Sequence, residues 1–169
     1  FLLQNGKLIY EKEGVIQMEN LKELLENNNL KELKNTLIEM NEYDIAEFLE
    51  ELDEGEMIKV FRLLPKTIAT DTFVNLEDET QKHLINLLSK KEATQIIEDM
   101  FTDDAADLFD EMPAVMVQSL LSNVDKDTRN DINRLLKYPE NSAGSLMAVE
   151  YIHLKKGLTI KESIARIRK

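Results

Sequence analysis

Between Ile16 and Tyr138 the chain is a succession of short apolar patterns with a helical period, each closed off by a single breaker. Gly55, Pro65 and Pro113 are the only strong punctuation in that stretch, so the connections have to be turns of a few residues. The spacing predicts helices near 17–27, 30–40, 43–52, 54–64, 66–75, 78–89, 91–100, 103–112, 114–122 and 126–137. Helices this short are marginal alone in water, and each must cover its apolar stripe with a neighbour. Many short helices on tight turns predict an all-α fold, a right-handed superhelix of stacked helical hairpins and not a bundle of long helices.

An internal repeat supports the stack. Asp44-Ile45-Ala46-Glu47-Phe48-Leu49-Glu50-Glu51-Leu52 lines up with Asp104-Ala105-Ala106-Asp107-Leu108-Phe109-Asp110-Glu111-Met112, and Thr70-Asp71-Thr72-Phe73-Val74-Asn75-Leu76 is a weaker copy. Each copy is followed by a second apolar helix, around Val60-Phe61, Leu84-Ile85 and Leu120-Leu121. The unequal spacing makes these imperfect, armadillo-like repeats that bury their apolar sides only by stacking. An acid recurs at one place in every copy, Glu47, Asp71 and Asp107, which predicts a ridge of carboxylates along one edge.

The segment from Thr102 to Pro113 carries the chemistry most open to interpretation. On a helix, Ala105, Leu108, Phe109 and Met112 share one side, while Asp103, Asp104, Asp107, Asp110 and Glu111 crowd the other. Thr102 is the expected N-cap, and Pro113 ends this helix or opens the next. Like charges at i, i+4 and i+7 repel by a few tenths of a kcal/mol per pair. Two explanations fit: a solvated face whose first-turn acids are favoured by the helix dipole, or a cluster relieved by a hard divalent cation such as Mg2+ or Ca2+.

After Tyr138-Pro139 the pattern changes. Ser142-Ala143-Gly144-Ser145-Leu146-Met147 is small and glycine-containing, and Val149-Glu150-Tyr151-Ile152-His153-Leu154 alternates like a strand. Thr159 and Glu162 then form a capping box for a helix with Ile160, Ile164 and Ile167 on one face. A loop, a strand and an amphipathic helix are expected to begin a second module that this chain does not complete. At the other end, Asn5-Gly6 between Leu2-Leu3 and Leu8-Ile9-Tyr10 suggests a small hairpin in an N-terminal extension. A start at Phe1 suggests a piece of something longer.

Composition narrows the function. Acidic residues outnumber basic ones 33 to 21, for a formal charge of -12, so phosphate backbones are repelled and nucleic-acid binding is disfavoured. The absence of Cys removes disulfides and thiolate chemistry and suits a cytoplasmic location. No apolar run reaches the roughly 18 residues of a membrane span, nor is there a signal peptide, so no membrane contact is expected from these residues. Phosphate-cradling glycine loops and nucleophile elbows are missing, and an enzyme is not expected. His83 and His153 are expected to be structural or surface residues, and Met40, Met57, Met100 and Met112 to fill the core.

Leu63-Leu64-Pro65-Lys66, the acidic Asp103-Asp104-Ala105-Ala106-Asp107 and above all Ser142-Ala143-Gly144-Ser145-Leu146-Met147 followed by Glu150-Tyr151 resemble the cytosolic N-terminal domain of MgtE-type magnesium transporters, running into the first strand and helix of their CBS pair. The resemblance covers residues 17 to 169. It implies an extension over 1–16, the helical superhelix domain over 17–138, and a linker with the beginning of an α+β CBS domain over 139–169. It also implies a homodimer at the cytoplasmic face of the cell membrane, partnered by the CBS domains and transmembrane pore of the same protein. In that family Mg2+ is regulatory and not catalytic: bound between the N and CBS domains, it neutralises facing carboxylates and holds the pore closed. The implied ligands are Asp71, Asp103 and Asp107, with the backbone carbonyl of Ser145. Asp71 stands where the family commonly has the longer Glu, which leaves a water to bridge it to its ion. Ser145 stands where a second Gly is common, keeping the carbonyl but not the backbone freedom. The helical repeats alone also fit the related domains of flagellar switch proteins, so a helical-repeat protein-protein interaction scaffold is the alternative.

Overall fold

A computed structural model describes residues 3–4, 7–139 and 142–168. Two short strands, β1 (Leu3–Gln4) and β2 (Lys7–Leu8), pair antiparallel with Leu3 opposite Leu8. The Asn5-Gly6 turn expected between them lies outside the described residues. Helix α1 (Ile9–Glu26) begins well before residue 17, so the expected extension runs into helix. Gly14 inside it costs about 1 kcal/mol relative to Ala, a penalty that a long helix absorbs.

The remaining helices are α2 (Leu30–Ile38), α3 (Glu42–Glu50), α4 (Glu54–Phe61), α5 (Lys66–Val74), α6 (Asp78–Leu87), α7 (Lys90–Asp99), α8 (Thr102–Asp110), α9 (Ala114–Leu121), α10 (Lys126–Leu135) and α11 (Ile160–Ile167). From 30 to 135 they follow the expected spans, generally ending a residue or more sooner. The chain divides into two compact units, Phe1–Asp99 and Met100–Lys169. This division falls between α7 and α8, whereas Tyr138 marks a change of periodicity.

In the first unit the helices are short because capping is local and frequent. The Asn41 side chain accepts the Tyr43 N–H at 2.9 Å to start α3, and Asp53 accepts the Glu56 N–H at 2.8 Å to start α4. Pro65 opens α5. At the end of α1, Asn28 takes a left-handed φ of 54° that ends the helix, and its side chain accepts a bond from Lys59 at 2.9 Å. Helix α1 packs on α2 and α3 on α4, while α3 also packs on α5 and α5 on α7, the alternate-helix contacts of stacked hairpins. Arg62 and Glu92 add a two-pronged ion pair at 2.8 and 3.1 Å, which holds the Glu92 carboxyl down at about 2.

The repeat is visible in burial. Ile45, Ala46, Phe48 and Leu49 on α3 are buried, as are Ala69, Thr70, Thr72 and Phe73 on α5 and Ala105, Ala106, Leu108 and Phe109 on α8. The aligned acids Glu47, Asp71 and Asp107 are all exposed. Ala93, Ile96, Ile97 and Met100, on and just after α7, keep the same apolar register. The sequence comparison missed this copy because Gln95 stands where the others have an acid. Met57, Met100 and Met112 are buried as expected, whereas Met40 is only half-buried.

In the second unit α8 packs on α10, whose N-terminus is capped by Asp125 through the N–H groups of Asp127 and Thr128. Leu121, Val124, Ile132 and Leu135 complete the apolar interior with α8. Beyond α10, Ser145 donates its backbone N–H to the Ser142 carbonyl at 3.2 Å and its hydroxyl to the same carbonyl at 3.0 Å, closing a turn. That turn brings Gly144 against the Tyr138 ring, where a Cβ would lie only 2.7 Å from Cε1. The strand expected at 149–154 does not form. Alternation supplies a strand's pattern, but a strand exists only when a neighbouring one completes its hydrogen bonds, and among the described residues β1 and β2 are the only strands. Gly157, at φ 102°, then leads into α11, where the expected Thr159–Glu162 capping box is present. Ile160, Ile164 and Ile167 remain exposed.

Candidate metal site on helix α8

Helix α8 lacks a capping side chain of its own. Thr102, expected at the N-cap, is instead the first helical residue, and Phe101 occupies the cap position with no side-chain bond to offer. The acceptor comes from 48 residues further along the chain. The Glu150 carboxylate takes the Thr102 backbone N–H at 3.0 Å and the Thr102 hydroxyl through a short hydrogen bond. A helix N-terminus favours a negative group, so a carboxylate from elsewhere serves as well as a local cap.

That carboxylate joins an acidic neighbourhood. Asp103 and Asp104 are half-buried and Asp107 is exposed, one turn beyond Asp103 on the same helix. Burial, and then the charges of Asp103, Asp107 and Glu150, push the Asp104 carboxyl above the usual carboxylate range. The Oδ1 oxygen of Asp103 is buried and has no hydrogen-bond partner among the described residues. A buried carboxylate oxygen in that state is costly, and a hydrogen-bond donor or a hard cation relieves it. The donor set therefore fits Mg2+, which takes oxygen ligands and keeps several of its waters.

The expected ligands are divided between the two units. Asp103 and Asp107 lie together on α8. Ser145 lies in the turn after α10, in the same unit. Asp71 is exposed on α5 in the first unit, where its backbone carbonyl accepts a bond from the Asn75 side chain at 2.8 Å. Among the described residues no three acid or histidine side chains form a cage able to hold a metal alone. Helix α8 thus offers a partial ligand set that waters or other groups would complete. Glu150 was missed in the sequence reading, and Asp104 was read only as part of the acidic face. The signal for Glu150 was its place in the Glu150-Tyr151 joint, but alternation suggested a strand residue. His83 is half-exposed, 3.7 Å from a Glu54 carboxylate oxygen, and His153 is exposed, 3.3 Å from Arg166.

A family model for the MgtE intracellular N domain matches residues 40–141. The chain belongs to that family. A magnesium transporter MgtE from Bacillus subtilis is 27% identical over 145 residues, which cover 86% of this chain and 32% of the relative. One of the same name from Thermus thermophilus is 30% identical over 154 residues, covering 89% of this chain and 34% of the relative. The chain spans about a third of the length of these curated relatives. Among solved structures, the soluble part of a magnesium transporter superposes with a TM-score of 0.83 at 22% identity, covering 92% of this chain and 61% of the other, a likeness of fold. The cytosolic domain of the Mg2+ channel MgtE in complex with ATP gives a TM-score of 0.78 at 30% identity, covering 89% and 62%. Among the described residues, no helix is long and apolar enough to cross a membrane.

Proposed function

We propose that this chain is the cytosolic Mg2+-sensing part of a magnesium transporter or channel, acting on the transmembrane pore by electrostatics and not by catalysis. The observation that carries the proposal is the Asp103 oxygen, buried and unpartnered among the described residues, within the acidic cluster of α8. Asp103 and Asp107 hold an ion directly, with the Ser145 carbonyl contributing an oxygen, and Asp71 reaches its own ion through water. The helices of 17–138 form the superhelix, and 139–169 is the linker and first strand and helix of a CBS domain, the strand forming once the rest of its sheet is there to pair with. The whole protein is a homodimer at the cytoplasmic face of the membrane.

The mechanism is a shift of populations. Without divalent cations, the acidic faces of the N and CBS domains repel and separate, and with them they dock. Mg2+ favours the docked state only because ligands contributed by both sides bind it more tightly there. The test is a chain extended through its complete CBS pair, titrated with Mg2+ and with K+ at equal ionic strength. Mg2+ compacts the protein, and Asp103→Asn with Asp107→Asn weakens that response without loss of helix. Identical responses to the two salts in wild type and double mutant would refute the sensor. That result would favour a protein-binding scaffold, for which the groove of about 530 Å3 between Phe109, Val117, Leu121 and Arg129 is the natural surface.

A further inference from the structure

The segment after α10 reaches back to α8 through one side chain. Phe101, at the cap position, is an exposed aromatic whose side chain accepts no helix N–H. Glu150, 48 residues further on, fills that role by accepting both the N–H and the hydroxyl of Thr102. Glu150 is largely solvent-exposed, so nothing in its burial forces it there. Two donors and the positive end of the helix attract it, while the Asp104 carboxylate, part of the acidic face of α8, repels it.

We propose that Thr102 and Glu150 form a latch fastening the segment of residues 142–158 to α8, with Glu150 a positioning residue through which the charge state of α8 sets the placement of that segment. The opposed forces make the latch responsive. Whatever lowers the negative charge on α8 removes the repulsion and leaves the attraction, so the latch tightens. A divalent cation on Asp103 and Asp107 does this, a step that rests on the sensor function proposed above. Coupling is reciprocal, so a closed latch raises the affinity of α8 for the cation by the same factor. The fastened segment leads directly into α11, so occupancy of α8 is converted into the position of that helix.

The latch is testable in the chain as it stands, with the divalent-free state examined first. The two measurements are amide exchange at Thr102 and the rate of tryptic cleavage at the exposed Lys155-Lys156 pair. Glu150→Ala is expected to accelerate both about tenfold, the equivalent of about 1.4 kcal/mol. Glu150→Gln keeps an acceptor oxygen and restores most of the Thr102 protection, whereas Thr102→Val loses only the hydroxyl and falls between. Adding Mg2+ at constant ionic strength slows cleavage in wild type and not in Glu150→Ala, with helical content unchanged throughout. Equal exchange and cleavage in wild type and Glu150→Ala without divalent ions would overturn the latch, whatever α8 binds. A latch present in wild type but indifferent to Mg2+ would overturn its coupling to the ion, whereas the sensor function is decided by the titration of the extended chain.

Discussion

Gly144→Ala tests why the small-residue turn after Tyr138 is built as it is. Gly144 does not need glycine for its dihedral angles, since among the described residues Gly157 is the glycine with positive φ. It needs glycine for space. The added methyl would meet Tyr138 Cδ1, Cγ and Cε1, with Cε1 at 2.7 Å, well inside the contact distance of about 3.5 Å between carbon atoms. Ring and turn have to separate, and overpacking of this kind costs about 1–3 kcal/mol. The cost is paid locally, by opening the turn that the Ser145 N–H closes on the Ser142 carbonyl. Ser145 amide exchange is therefore expected to accelerate by roughly 5- to 150-fold, at about tenfold per 1.4 kcal/mol. A double-mutant cycle decides the cause. In a Tyr138→Ala background the same substitution should have almost no effect, giving a coupling of about 1 kcal/mol or more. If Gly144→Ala opened the turn equally without the ring, steric exclusion by Tyr138 would be the wrong explanation and backbone conformation the right one.

Thr72 is fully buried where α3 has Phe48 and α8 has Leu108, and its hydroxyl has no partner among the described residues; Thr72→Val should stabilise by about 1 kcal/mol or more in thermal unfolding, and a loss of stability would reveal a partner for that hydroxyl. The raised Asp104 carboxyl binds its proton more tightly folded than unfolded, so its contribution to stability falls as pH rises through that raised value. Denaturant titrations should therefore find Asp104→Asn stabilising at pH 7 and without effect once pH is well below the ordinary value of 3.8; a benefit independent of pH would contradict this. Phe109→Ala should cost about 3–5 kcal/mol because the ring is buried, while Asp110→Ala on the exposed face of the same helix should change stability by less than about 0.5 kcal/mol, and equal losses in denaturant midpoints would be inconsistent with the observed faces.

The helical spans from Leu30 to Leu135 and the cap at Thr159–Glu162 could be read from the sequence because their causes are local. The apolar period, the capping side chains of Asn41, Asp53 and Asp125, and the prolines at 65 and 113 all act within a turn of the residue they affect. Burial in the aligned repeats followed for the same reason, since Ile45, Ala69 and Ala105 inherit one register. The acidic face of α8 was equally legible as a pattern. Its state was not, because whether Asp103 is solvated or left without a partner depends on what packs beside it. Only the tertiary structure showed that Thr102 is held by Glu150, that Gly144 lies under Tyr138, and that 149–154 remains without a strand despite its alternation. Each depends on a group distant in the chain or, for the strand, on a ladder partner missing from the described residues, and no period or propensity within a short window contains that information.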